Sequence, residues 1–335
     1  MNKRILGADL LLLLTAAIWG FGFVAQRSGM QYVGPFTYNG LRLTLGSLSL
    51  LPFIVWRNRR RSETASRTEN ISAKRKSLFF SSFLAGTCLF VAGSFQQLGL
   101  LSTTAGNGGF ITGLYVIFTP VLGIFLKRKT GLPTWIGAVF TLIGLYFLST
   151  AGPLKNVNPG DVSVAISAVF WSLHVLIIDR LAQKNDPIEL SLGQFAFAAL
   201  YALIAAFLIE PFLSRRFETM DPELISTGLY MWKSFPALIG GLSSGAIPVS
   251  HVSNAAIPIL YGGLASVGIG YTLQVVAQRD APPAHTTIIL CLEGSFAAAG
   301  GVLLLNEIIG ARTFIGFCLM LIGMLVSQWE LIRQK

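Results

Sequence analysis

A chain of 335 residues with 53% apolar and only 12% charged side chains is too hydrophobic for an ordinary soluble domain, where roughly a quarter of residues are charged. Its net charge of +10 would suit nucleic acid, but eight Lys and Arg against two Glu crowd the single stretch from Arg57 to Lys76, between two apolar runs. That pattern is a retained cytoplasmic loop which can touch anionic lipid headgroups, and it excludes nucleic acid as the expected partner.

The apolar runs have the length of helices crossing a ~30 Å hydrocarbon core and lack the two-residue alternation of barrel strands. Ten spans are predicted, near 6–25, 35–56, 77–98, 103–126, 133–150, 161–179, 188–210, 255–277, 284–305 and 313–331. The first follows Met1 to Arg4 without a small-residue cleavage site, so it reads as a retained helix and not a signal peptide. The second holds Tyr38, Asn39 and Arg42, the last near enough to the outer face to snorkel outward. Gln96 lies in the third span; Asn107, Tyr115, Pro120 and a GxxxG of Gly109 and Gly113 lie in the fourth. The sixth places His174 three residues after Trp171, on one helix face, and the eighth combines Gly262, Gly263, Gly268 and Gly270 with Tyr271 and Gln274. For the glycines, close helix packing is the expected role. Cys88, Cys291 and Cys318 fall inside apolar runs without metal-like spacing and are read as packing residues.

Charge asymmetry sets the expected orientation. With a cytoplasmic N-terminus, Lys3, Arg4, the eight cations of the basic loop, Lys127, Arg128, Lys129, Arg180, Lys184, Arg279, Arg333 and Lys335 fall inside, eighteen against six outside. Both termini are therefore expected in the cytoplasm, with the chain in a bacterial inner (plasma) membrane. Residues 211–254 form a long extracytoplasmic insertion; its apolar middle is interrupted by Lys233, Pro236 and four glycines. A half-inserted or surface-lying segment is expected there, against the alternative of an eleventh span.

The two halves match each other. GLPTWIGAVFTLIGLYFL from Gly131 aligns with GARTFIGFCLMLIGMLVS from Gly310 at an offset of 179, pairing Gly137 with Gly316 and Gly144 with Gly323; Trp19 pairs with Trp171 at an offset of 152. The expected fold is an all-α membrane protein of ten transmembrane helices in two five-helix repeats, residues 1–152 and 153–335. Because five is odd, the second repeat enters the membrane upside down. Inverted repeats of this kind place a substrate site near the midplane and work by alternating access.

Four segments carry a family likeness. TAAIWGFGFVAQRSG, Pro35 with LRLTLGSL and Arg42, TTAGNGGFITGLYVIFTPVLG, and LEGSFAAAGGVLLLNEIIGARTFIGFCLMLIGMLV resemble the first, second, fourth, and ninth and tenth helices of the EamA type of the drug/metabolite transporter superfamily. The resemblance implies a ten-helix exporter or exchanger of small metabolites. Three departures stand out. The fourth helix ends FLKRKTG where the family often has an acidic residue, Glu293 is followed by Gly294 and not by proline, and the 211–254 insertion is unusually long. Without that proline the ninth helix is expected to be less kinked.

Glu293 carries the sharpest chemical signal. A carboxylate deep in a span costs on the order of 2.5–3.5 kcal/mol, so it is read as a residue that meets a cationic group or carries a coupling proton, or else forms a structural bond, with Arg42 as one partner. Arg42 faces Gln194 in the repeat, so the fold does not demand a charge there. The candidate substrate-binding set is Trp19, Tyr38, Arg42, Asn107, Tyr115, Trp171, His174, Tyr271, Gln274 and Glu293, with Glu293 the candidate for coupling; Asn39 and Gln96 add amides at similar depth. No phosphate loop, metal cluster or nucleophile elbow is found, so no cofactor, metal or enzymatic activity is expected. The reading is a gradient-driven secondary transporter that exports or exchanges amino acids or related metabolites. Uptake of a cationic or vitamin-like solute such as an amine is the alternative, and a transport-inactive scaffold a third. Expected partners are a small-molecule substrate, protons and membrane lipids; monomer and homodimer both remain open.

Overall fold

The computed structural model describes residues 3–30, 32–62, 71–102, 105–128, 130–148, 159–210, 249–296, 299 and 311–333. Most of the predicted insertion, residues 211–248, the middle of the basic loop, residues 63–70, and the ninth span beyond residue 296 lie outside them.

Among the described residues every regular element is helical. In chain order these are α1 (Lys3–Gly29), α2 (Pro35–Ser62), α3 (Ile71–Leu100), α4 (Ala105–Thr112), α5 (Tyr115–Phe125), α6 (Leu132–Leu148), α7 (Pro159–Leu181), α8 (Pro187–Leu208), α9 (Val249–Leu260), a π-helical segment (Tyr261–Tyr271), α10 (Thr272–Ala277), α11 (Pro283–Leu290) and α12 (Ala311–Arg333). They fall on the predicted spans, the ninth of which is described continuously only to residue 296. Five are long and apolar enough to cross a bilayer by themselves: Arg4–Gln26, Lys74–Leu100, Pro159–Leu181, Pro187–Leu208 and Ala255–Ala277. Their outer faces are inside out relative to a soluble protein. On α1, Leu6, Leu10 and Leu14 form an exposed stripe while Ala8, Leu12 and Ala16 are buried; on α6, Leu132, Ile136, Val139, Ile143 and Tyr146 do the same opposite Ala138, Thr141 and Leu145. Large apolar side chains at helical spacing turned outward, with small ones inward, suit hydrocarbon as the solvent.

Three spans differ from the continuous helices expected. The fourth is divided between α4 and α5, and the ninth is interrupted after α11 at Cys291 and Leu292, so it is not straightened by the loss of proline at 294. The eighth passes through eleven π-helical residues that contain its four glycines. There the widened backbone admits the neighbouring α2. A Cβ on Gly262 would lie 2.7 Å from the Tyr38 hydroxyl and one on Gly268 2.5 Å from Ser49 Oγ. Close packing is thus the role of these glycines, as expected. At Gly109 no described residue stands within 4 Å of where its Cβ would be.

The chain divides into two compact units, Met1–Val24 with Val91–Pro187 and Ile269–Lys335, and Ala25–Phe90 with Ile188–Gly268. Each draws on both sequence halves. In the first unit α6 and α12 pack along much of their length. A Cβ on Gly137 would stand 2.5 Å from the Gly323 carbonyl oxygen, and one on Gly144 2.7 Å from that of Gly316. Rising along α6 therefore means descending along α12, an antiparallel crossing that only glycine permits so closely. In the second unit Glu210, fully buried, accepts from the Thr37 N–H at 2.8 Å and the Thr37 hydroxyl at 2.7 Å, placing a carboxylate against the N-terminus of α2. Arg57 closes the other end of α2 onto Glu189 of α8 at 3.1 Å.

The basic end of the fourth span is a helix stop. Lys127 adopts φ 58°, and the Arg128 N–H returns to the Gly123 carbonyl at 2.8 Å, the bond pattern that normally employs glycine. Arg128 also pairs with Asp179 of α7, and Arg180 donates to the Leu126 carbonyl at 3.1 Å. The left-handed conformation costs a non-glycine residue about 1 kcal/mol. Lys127→Gly is accordingly expected to raise Tm in detergent by roughly 2 °C, read by a thermal melt; a lower Tm would show that the lysine side chain matters more than its backbone.

Candidate functional site

The interruptions in the fourth and ninth spans meet. At the first, helical i to i−4 bonding gives way to i to i−3 bonds, Leu114 to Ile111 at 3.1 Å, Val116 to Gly113 at 3.0 Å and Ile117 to Leu114 at 2.9 Å. At the second, Leu292 bonds Ile289 at 3.0 Å and Gly294 bonds Cys291 at 3.2 Å. Neither break contains proline. A bond joins them, the Cys291 thiol donating to the Gly113 carbonyl at 3.4 Å. Cys291 is thus more than the packing residue its apolar context suggested.

Just past each break stands a polar side chain. The Tyr115 hydroxyl donates to Glu293 Oε1 at 3.4 Å, and the Glu293 side chain belongs to a residue only 6% exposed. Ser172 of α7 reaches the Tyr115 carbonyl at 3.4 Å and so ties α7 to this corner. Gln96 of α3 donates to Thr112 Oγ1 at 3.3 Å on the α4 side of the break.

Beside Ser172 an aromatic group assembles on α7, α1 and the end of the π-helical segment. Tyr271 lies between Trp19, centroids 4.5 Å apart, and Trp171, stacked at 5.9 Å with 21° between planes. His174, fully buried, meets Trp171 edge-on at 5.9 Å and Tyr271 at 6.4 Å. The spacing of three between Trp171 and His174 therefore did place both on one face. One turn beyond Tyr271, Gln274 donates to Gln278 Oε1 at 2.9 Å, and Gln278 donates to the Val175 carbonyl at 2.9 Å. The Trp171 indole nitrogen and Gln274 Oε1 are buried without a partner among the described residues. Orphaned buried polar atoms are rare in native proteins and mark places where water or a ligand completes the bonding. A carboxylate, aromatic faces, one donor and one amide acceptor together suit a small polar or cationic solute.

Of the ten sequence-predicted residues, the structure gathers Trp19, Trp171, His174 and Tyr271 into one aromatic group with Gln274 one turn on, and pairs Tyr115 with Glu293; Ser172, next to Trp171 in the chain, links the two through the Tyr115 carbonyl. Asn107 lies in α4, but its side chain is outside the described residues. Tyr38 and Arg42 belong to the second unit. Tyr38 is fully buried with its hydroxyl on the Pro258 carbonyl at 3.2 Å, which is a bracing contact. Arg42 is 4% exposed, so it does not snorkel to the surface; its Nε–H donates to Asn39 at 2.9 Å and its guanidinium lies 5.7 Å from the Tyr38 ring. Sequence reasoning missed Ser172, Gln278 and Cys291. Only the last carried a signal, since the offset of 179 sets Thr112, Gly113 and Leu114 opposite Cys291, Leu292 and Glu293.

The family model for EamA-like transporters matches twice, over residues 6–150 and 158–328. The chain belongs to the EamA-like transporter family. An uncharacterized transporter of Archaeoglobus fulgidus is 26% identical over 325 residues, 95% of this chain and 85% of its own length. The threonine/homoserine exporter RhtA of Salmonella typhimurium is 22% identical over 328 residues, 97% of this chain and 92% of its own. A solved crystal structure shares the fold with a TM-score of 0.69 at 16% identity, over 98% of both chains. This EamA-family transporter is a multi-pass membrane protein, and its family implies a small-molecule substrate.

Proposed function

We propose that this transporter exports or exchanges small polar metabolites, amino acids or close relatives, by alternating access between two inverted five-helix repeats, residues 1–152 and 153–335. The observation that carries the reading is the meeting of two broken helices at corresponding positions of the two halves, with Tyr115 and Glu293 just beyond the breaks. Interrupted hydrophobic segments in matching positions are the pattern from which transporters build a midplane site. The double family match and the antiparallel glycine crossing of α6 on α12 support the repeat. A named threonine/homoserine exporter among the relatives supports the substrate class. In this reading Trp19, Tyr115, Trp171, His174, Tyr271, Gln274 and Glu293 line the substrate site, and Asn107 joins them from α4. Arg42 and Tyr38, packed against each other in the second unit, remain candidates for substrate contact from the sequence. The cationic charge asymmetry supports cytoplasmic termini in a bacterial inner membrane. Transport and not bond chemistry is the activity.

The stacked Trp171 and Tyr271 beside Trp19 favour a second reading, uptake of an amine whose cation meets Glu293 and the aromatic faces. Proteoliposomes loaded with radiolabelled threonine, homoserine, choline or spermidine separate the two. Saturable efflux of the amino acids supports the first; transport of the amines alone replaces it with the second; no flux of any solute by folded protein defeats both. In the same assay Arg42→Ala is expected to abolish transport while leaving membrane insertion intact. Near-normal flux would remove Arg42 from the site.

A further inference from the structure

Away from the Tyr115–Glu293 corner, the first unit buries a second titratable cluster. His285 near the start of α11 is 1% exposed. Its Nε2 lies 2.9 Å from Asp9 Oδ1 on α1, and its Nδ1 lies 2.8 Å from Ser327 Oγ on α12. Ser327 Oγ is also 2.9 Å from the Met324 carbonyl. Three helices thus converge on one buried imidazole near the ends of the predicted first, ninth and tenth spans, and a buried titratable group of this kind is retained only with its partners in place.

Donor counting shows what the arrangement can do. A serine hydroxyl has one hydrogen and can accept as well as donate. When that hydrogen points at Nδ1, the imidazole is neutral, with its one N–H on Nε2 donated to the Asp9 carboxylate. When it points instead at the Met324 carbonyl, Ser327 accepts from an Nδ1–H, and the imidazole holds two N–H groups facing a carboxylate. In both states each imidazole nitrogen keeps a hydrogen-bond partner. They differ by one proton and one hydroxyl rotation, with no heavy atom displaced.

His285 also forms part of the wall of a cavity of about 310 Å³. The remaining wall mixes apolar residues such as Pro120 and Leu176 with polar ones, among them Arg128, Asp179, Gln278 and Arg279. That is ample room for water, since one molecule occupies about 30 Å³ in the liquid. Among the described side chains, the charged groups bonded to His285 or sharing its cavity wall are Asp9 on α1, Asp179 on α7 with its partner Arg128 after α5, and Arg279 and Asp280 before α11, and α12 contributes Ser327. The histidine of this cluster is not duplicated by the repeat. At the offset of 152 that pairs Trp19 with Trp171, Asp9 corresponds to Asp161, but at 179 His285 corresponds to Gly106.

We propose that His285, held between Asp9 and Ser327, is a proton-binding site that exchanges with water of this cavity and carries the coupling proton of transport. Uptake adds one proton at Nδ1 while the Ser327 hydroxyl turns from Nδ1 to the Met324 carbonyl; release reverses both. The coupling role rests on the transport reading above, whereas the proton site does not. With the orientation proposed there, the cavity opens toward the cytoplasm, so the proton is exchanged on that side.

The full chain, labelled with 15N-histidine and reconstituted in nanodiscs, gives the test. It has three histidines, and His285→Gln assigns the relevant signal. On titration from about pH 9 to 5, His285 is expected to pass from a single Nε2–H tautomer to the doubly protonated form, and Asp9→Asn and Ser327→Ala are each expected to displace that transition. A single tautomer throughout the range overturns the proposal. In liposomes, the ratio of threonine flux with an imposed pH gradient to flux at equal pH is expected to fall to about one in His285→Gln. An unchanged ratio overturns the coupling role. Should the wild-type chain move no threonine, the substrate reading fails alone, and the imidazole titration still decides the proton site.

Discussion

Glu293→Gln is expected to reduce solute flux in proteoliposomes by about 100-fold or more, equivalent to roughly 2.7 kcal/mol, without lowering Tm. The two readouts together carry the argument. Glu293 sits at a helix break, buried, with the Tyr115 hydroxyl at a long 3.4 Å as its described hydrogen-bond donor. A carboxylate kept mainly for structure would be surrounded by short, strong donors, as Glu210 is by Thr37 at 2.7 and 2.8 Å. Losing such a group costs stability because its partners are left unmet. Glu293 is underbonded by comparison, so the neutral amide should be tolerated or even welcomed by the fold, in the way functional sites commonly trade stability for activity. Glu210→Gln supplies the contrast: there Tm should fall, since the amide nitrogen cannot accept from Thr37. A Glu293→Gln protein that melts earlier and still transports would make Glu293 a structural residue and move the site elsewhere.

The contrast between those two glutamates also shows what the sequence could and could not reveal. Spans were legible because hydrocarbon thickness imposes a length that long apolar runs display directly, and α7 and α8 start and stop within two residues of expectation. Helix breaks were not. The absence of proline after Glu293 argued for a straighter ninth helix, yet the backbone tightens at Cys291, where the thiol meets the Gly113 carbonyl 178 residues away in the chain. Local chemistry cannot announce a tertiary bond of that kind. The π-helical stretch was hidden for the same reason, since its glycines advertise close packing but not the register of the hydrogen bonds. Within the site, Trp171 with His174 was readable from spacing on one helix, and Trp19 with Trp171 from the repeat. Their meeting through Tyr271 was not, because it depends on how α1, α7 and the eighth span are brought together.

The glycine crossing of α6 and α12 offers the other large effect and tests the architecture itself. Gly137→Ala and Gly323→Ala are each expected to destabilise by about 1–3 kcal/mol, and Leu at either position to prevent recovery of folded protein. The new Cβ would lie 2.5 Å from the Gly323 carbonyl oxygen in the first case, and 2.5 Å from Thr141 Oγ1 and 2.6 Å from the Gly137 carbonyl oxygen in the second, so unyielding backbone stands in the way in both. Gly7→Ala on α1, where nothing stands within 4 Å, should instead gain up to about 1 kcal/mol from helix propensity. The informative quantity is the coupling between pairs. Once Ala at 137 has forced the helices apart, Ala at 323 meets a gap already opened, so the double variant should be milder than the sum of its parts by at least about 0.5 kcal/mol. In an inverted repeat, a residue of one half meets not its own counterpart but the counterpart of its neighbour along the helix, as in any self-complementary twofold contact. Gly137 should therefore couple to Gly323, and Gly144 to Gly316, whereas two helices crossing in the same direction would couple Gly137 to Gly316. Thermal melts of the four single and four double variants distinguish these patterns without knowledge of the substrate, and coupling between Gly137 and Gly316 would overturn the inverted arrangement.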